Sequence, residues 1–184
     1  MKKVIAFFDG QNLYHNAREI WDYFWPNYDP LLLARNICNI EKDRKLIEVR
    51  FYTGIPTIKQ NPFWHKFWTN KIRKLLNDKI FVFKGNINIH GKEKGVDVRI
   101  AIDIIKLTFE KGFDVAIIFS QDRDLIEAIK MAKTIASSQK RKVEFECAYL
   151  YDDNSKDKRG LGKTKWRQIT QDIYDKCLDL KDYR

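Results

Sequence analysis

The feature that most limits what this chain can fold into is its first apolar run, Val4-Ile5-Ala6-Phe7-Phe8, which meets Asp9-Gly10-Gln11-Asn12 without a break. A short continuous apolar run reads as a strand buried on both faces, the habit of parallel sheets. Asp9 then stands at the rim of a core, where a carboxylate needs a cation, a proton or hydrogen-bond donors. The working expectation is a metal ligand. The plainer alternative is that Asp9-Gly10 is only a turn.

The rest of the chain alternates in the same style. Residues 13–24 predict a helix stopped by Pro26, and Pro30 opens a second over 31–40, proline suiting the first turn. Residues 46–53 have the β-branched and aromatic content of a second strand, ended by Gly54 and Pro56. Pro62 starts a third helix over 63–77, whose Trp64, Phe67, Trp68, Ile72 and Leu75 form one apolar stripe, with Lys66, Lys71, Arg73 and Lys74 placed off it. Strands follow at 80–83, 114–120 and 143–150, and helices at 96–111 and 124–137. The helix over 96–111 is apolar nearly all round and predicts deep packing. Residues 152–165 read as a charged, glycine-containing loop, before a short element at 172–178. Strands alternating with helices predict an α/β domain with a mainly parallel sheet, whose ligands bind along the edge formed by the C-terminal ends of the strands. One domain is expected over 1–184, with its core at about 3–150 and a basic loop and C-terminal extension over 151–184.

The three cysteines are widely spaced and odd in number, which favours a reducing, cytoplasmic setting without a disulfide frame. No run of 18 apolar residues exists to span a membrane, and Asp9 interrupts the first apolar run too early for a signal peptide. The formal net charge of +10 favours polyanionic partners, and nucleic acid leads among them.

Several carboxylates fall on the ligand edge of the expected sheet. Asp9 ends the first strand, Asp97 opens the helix at 96, and Asp122 and Asp124 follow the strand at 114–120. Converging carboxylates repel unless a cation or a shared proton intervenes. Oxygen donors without His or Cys select Mg²⁺ or Mn²⁺ over zinc, and such an ion activates water against a phosphodiester. Each acid also has an ordinary reading. Asp97 can complement a helix dipole, and Asp122 or Asp124 can be an N-cap, Asp124 and Glu127 having capping-box spacing. Asp103 lies about 600° of helix beyond Asp97, off its face, and its distance from Arg99 suits an i,i+4 ion pair.

Phe8-Asp9-Gly10-Gln11-Asn12-Leu13-Tyr14, then Lys94-Gly95-Val96-Asp97, then Ser120-Gln121-Asp122-Arg123-Asp124-Leu125 resemble, in order and interval, the NYN domain, a branch of the PIN-like nucleases. The resemblance runs over roughly residues 3 to 150. It implies a Rossmann-like, PIN-type three-layer sandwich with strand order 3-2-1-4-5 and metal-dependent ribonuclease chemistry. It further implies that Asp9, Asp97 and Asp122 hold Mg²⁺ or Mn²⁺, that Asp124 is an auxiliary acid, and that Asn12 orients water or phosphate. Arg123 stands where the family often has a small residue, and it can clamp a phosphate or pair with an acid.

Other chemistries fit less well. Gly160-Leu161-Gly162-Lys163-Thr164 would put Asp157 at the first glycine of a P-loop, and His15, His65 and His90 share no metal-binding spacing. For substrate contact, the stretch from Lys156 to Arg167 carries six Lys or Arg beside Trp166, and basic loops with aromatics suit RNA. Lys94, Arg123, Lys158, Arg159, Lys163 and Lys165 are the candidate nucleic-acid contacts. A second, weaker candidate is the stretch from Lys59 to Lys74. The leading expectation is a metal-dependent nuclease acting on single-stranded or structured RNA. The alternatives are a catalytically inactive domain that binds nucleic acid or protein, and a metal-dependent enzyme on a small molecule. A homodimer is left open.

Overall fold

A computed structural model describes residues 1–153, 155 and 158–183. The first strand, β1 (Lys2–Asp9), passes directly into α1 (Gly10–Trp21), because Asp9 itself caps the helix. Then come α2 (Pro30–Cys38), β2 (Arg44–Ile55), α3 (Pro62–Asn77), β3 (Phe81–Ile87), β4 (Glu93–Lys94) and α4 (Val96–Phe109). The chain continues through β5 (Val115–Phe119), α5 (Leu125–Ser138), β6 (Glu144–Leu150), β7 (Lys165–Ile169) and α6 (Gln171–Asp175). Both helix-opening prolines stand at the first turn, behind N-caps: Asp29 accepts from Leu31 N at 2.9 Å and Leu32 N at 3.0 Å, and Asn61 accepts from Trp64 N at 3.0 Å.

The sheet has seven strands in the order β4-β3-β2-β1-β5-β6-β7. This corrects the five-strand order expected from the sequence. Glu93–Lys94 joins β3 as an antiparallel edge, and Lys165–Ile169 joins β6 as a parallel one. Neither shows a strand pattern in sequence: one is two residues long, and the other is largely polar because an edge has one side open to water. The remaining neighbours pair in parallel, and β1 lies between β2 and β5, where the order reverses.

The alternation of β1 divides the interior into two layers. Val4, Ala6 and Phe8 pack with α1, α2 and α3, whereas Ile5 and Phe7 pack with α4 and α5. Phe8 stacks on Phe119 of β5 with ring centroids 3.9 Å apart, fixing the two strand ends that carry the site.

Two further expectations need correction. The helix α4 is not deeply packed all round: Val96, Ile100 and Ile104 are buried on its inner face, while Val98, Ile102 and Phe109 are exposed on the outside. It forms part of an outer layer, so only its inner face and its flank against α5 are covered. Lys71, placed off the apolar stripe of α3, is fully buried and donates to the carbonyls of Pro26 at 2.6 Å and Tyr28 at 2.9 Å. Those loop carbonyls need a donor, and the long aliphatic stem lets Lys71 reach them from within the core. Burial pushes its ammonium down to about 8. Among the described residues, no helix is long and apolar enough to cross a membrane.

Candidate metal centre

The site is built where β1, β5 and α4 end or begin. Asp9 is buried, and its Oδ1 accepts from Asn12 N at 2.9 Å while its Oδ2 accepts from Ser120 Oγ at 3.2 Å. Thus the turn reading and the ligand reading of Asp9 are not exclusive, since one oxygen caps α1 and the other faces β5. Asp97 lies in the first turn of α4, which Gly95 opens in the left-handed conformation at φ 80°. Asp122 follows β5, and its own N–H donates to Ser120 Oγ at 3.1 Å. One buried hydroxyl therefore ties Asp9 to the backbone of Asp122 across segments far apart in sequence.

Asp9, Asp97 and Asp122 each offer a carboxylate oxygen, and these atoms lie within 4.8 Å of one another. Burial, then the charges of Asp97 and Asp122, pushes the Asp9 carboxyl up to about 7. Partial burial, then Asp122 and Asp124, raises Asp97. Hard oxygen donors that strain against one another in this way fit a divalent cation.

The other expected residues are placed less uniformly. Asp124 stands at the N-cap of α5 but makes no side-chain capping hydrogen bond, so its capping-box pairing with Glu127 does not form. Its charge is instead felt at Asp97. Asn12 Oδ1 accepts from Gln121 N at 3.1 Å and from Asn16 Nδ2 at 3.3 Å, which makes it a brace between α1 and the loop after β5. Arg123 is exposed and forms no ion pair with a carboxylate among the described residues. Lys94 is likewise exposed, on the edge strand β4.

The basic loop is split. Arg159 comes near the site through its carbonyl, which accepts from Gln121 Nε2 at 3.0 Å, and the Lys158 carbonyl accepts from Tyr149 OH at 3.1 Å. The Lys158 ammonium folds back onto the Asp153 carbonyl, and the Lys163 carbonyl holds Lys133. Lys165 points elsewhere: it pairs with Glu41 at 2.9 Å and registers with Glu146, near the N-terminal ends of the strands. Lys156 lies outside the described residues.

Two contributors escape a reading of the sequence. Ser120 bridges the acids, although its motif neighbours carry the visible pattern. Glu93 brings a fourth carboxyl: its Oε2 accepts from Gly54 N, and burial, with Asp9 and Asp97 behind it, pushes it up to about 8. Its place one residue before Lys94-Gly95-Val96-Asp97 is the available signal, hidden because β4 is too short to read as a strand.

The NYN domain model matches residues 3–160. The chain belongs to the NYN domain family. No curated protein matches it. Among solved structures, this NYN domain is similar to a protein of unknown function from Vibrio parahaemolyticus, with a TM-score of 0.58 at 16% identity, over 99% of this chain and 94% of that one. At that identity the likeness speaks for the fold alone.

Proposed function

We propose that this NYN domain is a metal-dependent nuclease that hydrolyses phosphodiester bonds in RNA. The observation that carries the reading is the convergence of Asp9, Asp97 and Asp122 within 4.8 Å at the strand ends of a strongly basic protein. Membership in a family that is typically nuclease supports the same class of chemistry. Asp9, Asp97 and Asp122 would hold Mg²⁺ or Mn²⁺, which supplies a Lewis acid for the scissile phosphate and lowers the pKa of a water. Asp9 is oriented by Asn12 N and Ser120 Oγ, so its carboxylate needs no rearrangement to serve. Ser120 also sets the Asp122 backbone, and Asn12 holds the loop that carries it. Arg123 and Lys94, both exposed and close in sequence to Asp122 and Asp97, would hold the flanking phosphates.

The test is a titration of Mg²⁺ and Mn²⁺ against a labelled single-stranded RNA, with wild type, Asp9→Asn and Asp122→Asn. Cleavage should require the metal, and each substitution should slow it by about a hundred-fold or more with folding retained. Cleavage that survives in both variants would end the site assignment. Salt-sensitive RNA binding without any cleavage would replace the nuclease by a binding domain.

A further inference from the structure

A cavity of about 480 Å³ opens between α1, the start of α3 and the turn joining β3 to β4. That size suits a small organic group rather than a flat contact. Gly54 links the cavity wall to Glu93, the carboxyl that feels Asp9 and Asp97: its carbonyl accepts from Gln11 Nε2 at 3.2 Å, and its N–H donates to Glu93. The wall supplied by α1 is one helical face, Gln11, Tyr14, His15 and Arg18, whereas Asn12 and Asn16 turn towards Gln121.

The lining has the chemistry of a base site. The Tyr14 ring lies 5.3 Å from His15 and 6.2 Å from Trp64, centroid to centroid, which gives the cavity an aromatic wall. Partial burial and the nearby Arg18 cation hold His15 below the ordinary imidazole range, so at neutral pH its ring is an uncharged face. Ile89, in the turn after β3, lines the cavity yet is 90% exposed, an apolar side chain with little of the protein to cover it. Arg18 has no carboxylate partner among the described residues, which leaves a cation at this face of α1.

We propose that this cavity receives one unstacked nucleobase of a single-stranded RNA whose adjoining phosphate lies at the acidic centre, with His15 and Trp64 offering stacking faces and Arg18 meeting the backbone. The choice of ligand rests on the nuclease reading. Single strands are favoured because a duplex keeps its bases paired and stacked, out of reach of a cavity. Stacking of this kind is sequence-tolerant, since every base has a π-face, so the site selects for strandedness more than for sequence.

The experiment measures binding without cleavage, in EDTA, using a fluorescent RNA tetranucleotide and an abasic ribose-phosphate tetramer of equal charge. Wild type should bind the tetranucleotide about ten-fold more tightly than the abasic tetramer, the scale of one stacked base. His15→Ala, a surface change whose folding is checked by circular dichroism, should erase most of that difference and leave abasic binding unchanged. Arg18→Gln should weaken both ligands and lower the salt dependence by about one charge. An equal affinity of wild type for the two tetramers, or a base preference that persists in His15→Ala, would overturn the proposal. Cleavage assayed separately in Mg²⁺ keeps the two readings apart: a base preference without cleavage sinks the nuclease, and cleavage without a base preference sinks the cavity.

Discussion

Asp9 is the residue on which electrostatics and folding meet. Its carboxyl moves from an ordinary 3.8 to about 7, with burial as the first cause. A carboxyl raised in the folded state binds its proton more tightly there than in the unfolded chain. Its contribution is therefore fully present below about pH 4 and is lost as pH rises through about 7. In metal-free buffer, Asp9→Asn should match wild type near pH 4 and exceed it increasingly up to about pH 7, by on the order of 1.4 kcal/mol for each pH unit crossed. Added Mg²⁺ should stabilise wild type more at pH 8 than at pH 5 and leave Asp9→Asn nearly unmoved. Thermal denaturation with and without EDTA reads both effects, and a gap between the two proteins that ignores pH would contradict them.

At the scale of elements, the passage from β1 into α1 is what aims the site, and it depends on Gly10. A Cβ there would come within 2.5 Å of Phe51 Cζ and 3.0 Å of the Tyr52 carbonyl, on the neighbouring strand β2. Phe51 is fully buried and stacked beside Phe8, so it has little room to yield. Gly10→Ala should cost about 1–3 kcal/mol in denaturant unfolding and lower metal affinity as well, because the shift is passed to Asp9 next to it. An unchanged midpoint would mean that α1 can slide on the sheet. The outer face of α4 shows how far an element's pattern can mislead. Val98, Ile102 and Phe109 make the helix look buried, but packing covers one face of a helix in an outer layer whatever the other face carries.

For the whole molecule, the last part of the chain is joined to the core by charge and by packing. Glu146, fully buried in β6, accepts from Arg44 at the start of β2 and from Arg167 in β7. Tyr174, Cys177 and Tyr183 lie in the same core layer as Phe8. Glu146→Ala should therefore destabilise the whole domain by about 3 kcal/mol or more, because it leaves a buried arginine short of its partner. We expect one cooperative transition in that variant, as in wild type, when fluorescence and circular dichroism are followed together. Two separate transitions would show that the C-terminal segment folds apart from residues 3–150.

The alternation of strands and helices was legible in the sequence because burial on both sides of a parallel sheet writes itself into short apolar runs. The three converging acids were legible for a related reason: once the strands are parallel, their C-terminal ends share one edge wherever they stand in the chain. Tertiary structure alone decided the rest. It placed Glu93 beside Asp9, spanned two acids with Ser120, buried Lys71 under two loop carbonyls, and sent Lys165 to the far end of the strands. It also made edge strands of two segments that carry no strand pattern, and formed the cavity of Tyr14, His15 and Trp64 from separate helices. Local patterns report whether a residue faces the core or water. Which distant residue it meets depends on strand register and on how the helices seat against the sheet.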